Sequence, residues 1–215
     1  MPPINEDLHG NAPDESEVAL LLIDVINDLE FDEGDQLLEY AIPMAERIAE
    51  LKRRARTAKV PVIYVNDNFG RWQSNFNAQV DHCLHDGVRG RPIAELLKPD
   101  SDDYFVLKPK HSGFYSTTLD LLLRYLGVRT VVLTGMAGNI CVLFTANDAY
   151  MRDLRLVVPS DCTASNTEEE NNYALNGMAR IMKADVRPSD QWTFESLQEE
   201  QDDESSRRWS EPPKR

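Results

Sequence analysis

The sequence predicts an α/β fold: a three-layer α/β/α sandwich around a six-stranded, mostly parallel, doubly wound sheet. Three observations carry this. Short apolar runs of strand length alternate with segments of helical apolar spacing, an order that right-handed crossovers turn into a parallel sheet covered on both faces. The strand runs are continuously apolar, as strands buried on both faces require. The chain of 215 residues, 41% hydrophobic and 28% charged, suits one ordinary globular domain large enough to need no staples.

Residues 1–17 hold five acids and three prolines and read as a flexible acidic arm. Val18 to Asp24 (VALLLID) is a first strand closed by a carboxylate. Gln36 to Lys59 sets Leu37, Leu38, Ile42, Ala45, Ile48 and Leu51 at helical intervals. Pro61 to Asn66 is a second strand. From Asn66 to Gly90 the chain reads as one long loop, beyond the usual connection of about 4–6 residues and so a candidate functional segment. Arg91 to Leu97 is a short helix, and Tyr104 to Lys108 (YFVLK) a third strand stopped by Pro109. Thr117 to Leu126 is a helix with Gly127 as its C-cap. Arg129 to Gly135, Leu154 to Pro159 and Ala184 to Arg187 are strands four to six; Asn139 to Arg152 and Glu168 to Met182 are the helices between them. One domain, 18–197, is therefore followed by a polar tail, 198–215, expected to be disordered.

Composition excludes several classes. Lys plus Arg at 23 against Asp plus Glu at 37 gives a net charge of −14, the wrong sign for nucleic acid. The longest apolar run, Val18 to Ile23, has six residues, against about 20 for a membrane span. No basic or apolar leader is visible at the start, so a cytoplasmic location is expected. Cys83, Cys141 and Cys162 are odd in number and form no CxxC, which argues for free thiols over a disulfide frame or a zinc knuckle. His82 and His85, three apart, are one possible ligand pair, too few to predict a metal.

Ligands of an open parallel sheet sit beyond the carboxyl ends of its strands. Strand one ends in Asp24, strand two in Asn66-Asp67-Asn68, strand three in Lys108, and strand four runs through Gly135 and Ala137 to Cys141. An acid, a base and a thiol thus converge on one rim. Taken singly, each has a structural reading: a turn aspartate, a surface lysine, a buried thiol. Lys110, two residues on from Lys108, would face the same way on a continued strand, but Pro109 ends the ladder and favours Lys108.

These residues resemble the isochorismatase-like cysteine hydrolases, which include nicotinamidases and N-carbamoylsarcosine amidases. The resemblance runs from about Val18 to Asp185. It rests on Lys108 four residues before Ser112-Gly113-Phe114, on Thr118-Leu119, on the Gly135–Val142 loop with Cys141, and on Ala146-Asn147-Asp148-Ala149. Asp24-Val25-Ile26-Asn27-Asp28 stands where the family usually has Asp-x-Gln-Asn-Asp, so Ile26 departs from it. So does the segment after strand two, which lacks the nicotinamidases' metal-binding Asp-x-His. The resemblance implies an Asp24–Lys108–Cys141 triad, a small-molecule substrate and a homo-oligomer; with that Asp-x-His missing, no metal or other cofactor is expected. It also implies a cis peptide bond before Ala137.

Chemistry supports these roles. A free thiol with a pKa of about 8.5 is a few per cent thiolate at neutral pH. One ammonium about 4 Å away supplies roughly 4 kcal/mol at an effective dielectric of about 20. That exceeds the roughly 2.7 kcal/mol needed to bring the thiol to about 6.5, so Lys108 with a helix start predicts a thiolate. Asp24 would take the thiol proton, pass it to a leaving amine and then activate water. The backbone N–H groups of Ala137 and Cys141 would form the oxyanion hole.

Asn66, Arg71, Trp72 and Phe114 are candidates for binding substrate, and His111 is a rival partner for Cys141. The leading expectation is a cofactor-free cysteine hydrolase cleaving a C–N bond of a small amide, ureide or carbamoyl substrate. The alternatives are a non-catalytic binding or assembly protein on the same fold, a vinyl-ether hydrolase, or redox signalling through Cys141. Phe69, Trp72, Phe76, Val80 and Leu84 in the long loop predict either a subunit contact or a lid.

Overall fold

Six consecutive apolar residues, Val18–Ile23, form β1, which takes the middle of the sheet with every side chain fully buried. The computed structural model describes residues 15–69 and 75–199. Arg71 and Trp72 lie outside the described residues, as do most of the arm and the tail. On either side of β1 lie β2 (Val62–Asp67) and β4 (Thr130–Met136), with β3 (Tyr104–Lys108) beyond β2 and β5 (Arg155–Val157) beyond β4. All of these pairings are parallel. The chain builds outward from β1 to β3, then returns to lay β4 against the other side of β1. The switch point therefore falls between β1 and β4.

Alternate side chains of β1 feed two cores. Val18, Leu20 and Leu22 pack with α1 (Gly34–Thr57), α2 (Phe76–His85) and α3 (Arg91–Leu96). Ala19, Leu21 and Ile23 pack with α4 (Leu119–Leu126), α5 (Leu143–Tyr150) and α6 (Glu168–Met182). Gly127 ends α4 at φ +79°, the left-handed cap expected of it.

Three expectations need correction. The sixth strand is Thr163–Ala164, β6, and not Ala184 to Arg187. β5 reaches only Thr130, Val131 and Val132 of β4, so the far end of β4 is open, and β6 fills it at Gly135 and Met136. Asp185 makes a single bridge to Val157, after which the chain leaves the sheet. The expected long loop contains α2, capped by Asn75 accepting from the Ala78 N–H. Its Phe76, Val80 and Leu84 are buried in this chain's own core. Their spacing of four is a helical face, and burying it inside the subunit removes it as a reason to expect a partner or a lid. Finally, Cys141 lies in a single π turn, Gly138–Val142, before α5 begins, not in the first turn of an α-helix. Such wide turns are frequent at functional sites.

Candidate active site

The site forms where the carboxyl ends of β1, β2, β3 and β4 meet. Asp24 follows β1 directly, at φ +52°, a left-handed conformation that aspartate and asparagine tolerate better than most residues. Gly135 makes room on the β4 side: at φ +108°, a β-carbon there would stand 2.1 Å from the Ile23 carbonyl oxygen. Glycine is required at that approach. The Met136–Ala137 peptide bond is cis, as the resemblance implies, and the π turn then carries Cys141 over the strand ends.

Lys108, the last residue of β3, is fully buried. Its ammonium lies 2.8 Å from the Asp24 carboxylate and 3.5 Å from Cys141 Sγ. The Asp24 carboxylate also acts on the Cys141 thiol electrostatically. The structure thus brings the three expected residues together, while Lys110 stays exposed. Asp67, named at the end of strand two but given no role in the sequence analysis, belongs with them. Its backbone N–H donates to Asp24 Oδ1 at 2.7 Å and its carboxylate lies 3.7 Å from the Lys108 ammonium. The sequence signal was its place at the end of strand two; the register that sets it opposite Lys108 came with the fold.

The electrostatics correct the expected thiolate. Burial, reinforced by the Asp24 charge, pushes the Cys141 thiol up to about 12 in spite of Lys108. Burial also lifts Asp24 above the ordinary carboxylate range, against the pull of Lys108. For Lys108, burial acts downward, but its anionic partners, Asp24 first, outweigh it and raise its pKa above the ordinary lysine value. The pairwise argument from one ammonium left out the thiol's desolvation and its nearest carboxylate. Both the Asp24 carboxyl and the Cys141 thiol therefore hold their protons more tightly than they would free in water.

The scaffold around this cluster explains the motif. The Ser112 hydroxyl donates to Asp148, and the Gly113 N–H donates to Thr145 Oγ1 at 3.0 Å, while Thr145 donates to the Cys141 carbonyl at 2.7 Å. These bonds fasten the segment after Lys108 to the helix that follows Cys141. On the opposite side, the Ser165 hydroxyl accepts from the Asn139 N–H at 3.1 Å and donates to Asn171 at 3.2 Å. Ser165 and Asn171 also line a separate open groove of about 240 Å³ beside α1, which contains none of the three clustered residues. Buried, paired charges make the strand-end cluster the better functional candidate.

The substrate-binding candidates fare differently. Phe114 is 5% exposed and packs in the α4–α6 core beneath the Arg152 guanidinium, 4.6 Å from its ring centre. Asn66 is fully buried and its amide donates to the Ile26 carbonyl at 2.7 Å, which clamps the turn after Asp24. His111, in contrast, is exposed and brings Nδ1 to 3.8 Å from Cys141 Sγ. His82 is held between Asp86 at 2.7 Å and Asp28 at 3.3 Å. Both of its ring nitrogens are engaged by carboxylates, and among the described residues no group of three or more potential ligands gathers at a metal-binding distance. Cys83 and Cys162 are buried free thiols, both raised by burial.

The chain is similar to known proteins over most of its length. The Isochorismatase domain profile matches residues 18–191. An uncharacterized isochorismatase family protein of Bacillus subtilis is 44% identical over 173 residues, covering 80% of this chain and 94% of that one. A ureidoacrylate amidohydrolase of Methylorubrum extorquens is 30% identical over 141 residues; the match takes in 56% of this chain and 57% of that protein. Among solved structures, an isochorismatase-like hydrolase from Alkaliphilus metalliredigens is 29% identical with a TM-score of 0.64, covering 82% of this chain and 96% of that one. N-carbamoylsarcosine amidase from Thermoplasma acidophilum is 28% identical with a TM-score of 0.61, covering 81% and 98%. With a profile match over most of its length and a relative of this similarity, the chain belongs to the isochorismatase family.

Proposed function

We propose that this isochorismatase-family hydrolase is a cysteine hydrolase that cleaves a C–N bond of a small amide, ureide or carbamoyl substrate, through a thioester on Cys141. The observation that carries the reading is the buried Lys108 ammonium, 2.8 Å from Asp24 and 3.5 Å from Cys141 Sγ. Asp24 accepts the thiol proton as sulfur attacks, and passes it to the departing nitrogen. Lys108 then neutralises charge that the thiol cannot carry at rest. The N–H groups of Ala137 and Cys141 serve the carbonyl oxygen as it becomes an oxyanion. Substrate chemistry is supported by the names of the relatives, a ureidoacrylate amidohydrolase and an N-carbamoylsarcosine amidase. No metal or cofactor enters this reading.

The test is a panel of small amides, ureides and carbamoyl compounds screened for ammonia release, with Cys141→Ala alongside. At least one compound should be hydrolysed by the wild-type protein and none by the variant, whose circular dichroism should match wild type. Hydrolysis that survives Cys141→Ala would refute the thioester. Turnover of a vinyl ether with no C–N hydrolysis anywhere in the panel would move the reading to that alternative.

A further inference from the structure

We propose that Asn171, acting through Ser165, is a positioning residue for the oxyanion hole; this rests on the cysteine-hydrolase reading above, which gives that hole to the Ala137 and Cys141 N–H groups. Asn139 lies midway between those two donors in the chain, inside the π turn Gly138–Val142. The first N–H groups of a helical turn have no acceptor within it. That of Asn139 is taken by the Ser165 hydroxyl at 3.1 Å. The aim of two donors at one oxygen therefore depends on where Ser165 stands and which way its hydroxyl points.

Asn171 decides both. Its Nδ2 donates to the carbonyl oxygen and the hydroxyl oxygen of Thr163, at 3.2 and 3.3 Å. With the amide nitrogen so engaged, Oδ1 faces Ser165 and accepts its hydroxyl proton at 3.2 Å. A serine oxygen that donates in one direction offers its lone pairs in the others, here to the Asn139 N–H. Ser165 is buried, so no bulk water stands ready to replace it.

The relay is anchored at its far end, because Thr163 of β6 pairs with Gly135, where β4 approaches the turn. Asn171 also packs on the turn directly: a β-carbon on Gly138 would stand 2.2 Å from its Oδ1. Hydrogen bonds and close packing thus form a ring that runs from β4 through β6 and α6 back to the turn.

Two reactions of one sulfur separate positioning from general support. Acylation by p-nitrophenyl acetate passes through an oxyanion; alkylation by iodoacetamide, a substitution at a saturated carbon, does not. Asn171→Ala should slow the nitrophenolate burst by about 10-fold or more, a share of the roughly 100–1000-fold that loss of a whole oxyanion donor costs. Iodoacetamide should label Cys141 at the wild-type rate. Ser165→Ala, a smaller lesion, carries the same two expectations should Asn171→Ala fail to fold. The Thr167 hydroxyl is bonded only to Glu170 among the described residues, so Thr167→Ala, which weakens the start of α6 alone, should keep both rates. A burst and a labelling rate that fall together, or a burst slowed as much by Thr167→Ala, would overturn the assignment. A wild-type burst that the Asn171 and Ser165 variants share removes Asn171 and leaves the hydrolase reading standing. If wild-type Cys141 is never acylated, the hydrolase reading fails first and this one with it.

Discussion

Asp24 carries two roles that act on the thiol in opposite directions. As a neighbouring negative charge it raises the Cys141 pKa, and as a base it removes the Cys141 proton when sulfur attacks. Asp24→Asn separates the roles cleanly. Asparagine tolerates the left-handed backbone at this position and can still accept the Asp67 N–H, so the fold should hold. Without the carboxylate, Lys108 faces the sulfur alone and the thiol should titrate below its value of about 12, read from the ultraviolet absorbance of the thiolate against pH. Turnover should nevertheless fall by about 100-fold or more, because the proton has no acceptor. A variant that stays active, or whose thiol titrates higher than wild type, contradicts the role given to Asp24. Wild-type Cys141 should also react with iodoacetamide at neutral pH more slowly than free cysteine, the reverse of what a resting thiolate would do.

Between elements, the contact that matters most joins the segment after β3 to α5. Ser112 is buried, donates to Asp148 and accepts from the Phe114 N–H at 3.1 Å, so Ser112→Ala removes two hydrogen bonds at a cost of about 1–2 kcal/mol. That is a fall of about 3–6 °C in melting temperature for a chain of this size. The spacing of Lys108 and Cys141 depends on the same tie, so kcat should drop about tenfold with KM little changed. Equal kcat in the variant would show that the spacing is held elsewhere. On the other side of the sheet, α2 grips the turn after Asp24 through His82. Hydrogen bonds to Asp86 and then Asp28, acting against burial, raise the His82 pKa from 6.5. A raised folded-state pKa stabilises the protein fully below 6.5, and that contribution fades as pH climbs through the folded value. The stability gap between wild type and His82→Gln, measured by urea unfolding, should therefore be widest in acid and close in alkali. A gap that widens with pH would mean the two contacts contribute nothing through charge.

At the scale of the molecule, the winding order decides where chemistry can occur. β1, β2 and β3 run outward and β4 returns to the far side of β1, so four carboxyl ends surround one opening. The expected homo-oligomer needs a surface other than α2. Leu121 on α4, Met151 after α5, and Tyr173 and Ile181 on α6 are large, exposed apolar side chains, and all lie on the α4–α6 side of the sheet. Light scattering at micromolar concentration should give a multiple of 24.5 kDa, and charged substitutions at Leu121 or Ile181 should lower it. A monomer in wild type ends that expectation.

The parallel doubly wound sheet, the convergence of Asp24, Lys108 and Cys141, and the Gly127 cap were all legible in the chain. They follow from local pattern: an apolar run long enough for a strand, the residue that ends it, and the rule that parallel strands end on one rim. The partner of each side chain was not legible. Phe114 went under Arg152, Asn66 turned inward to the Ile26 carbonyl, and β6 took the open end of β4. Each outcome depends on what distant segments leave vacant. The thiol shows the division most plainly. The sequence by itself determined that an ammonium would stand near Cys141. Only the tertiary structure decided that burial and Asp24 would outweigh it, because desolvation is set by everything packed around the sulfur.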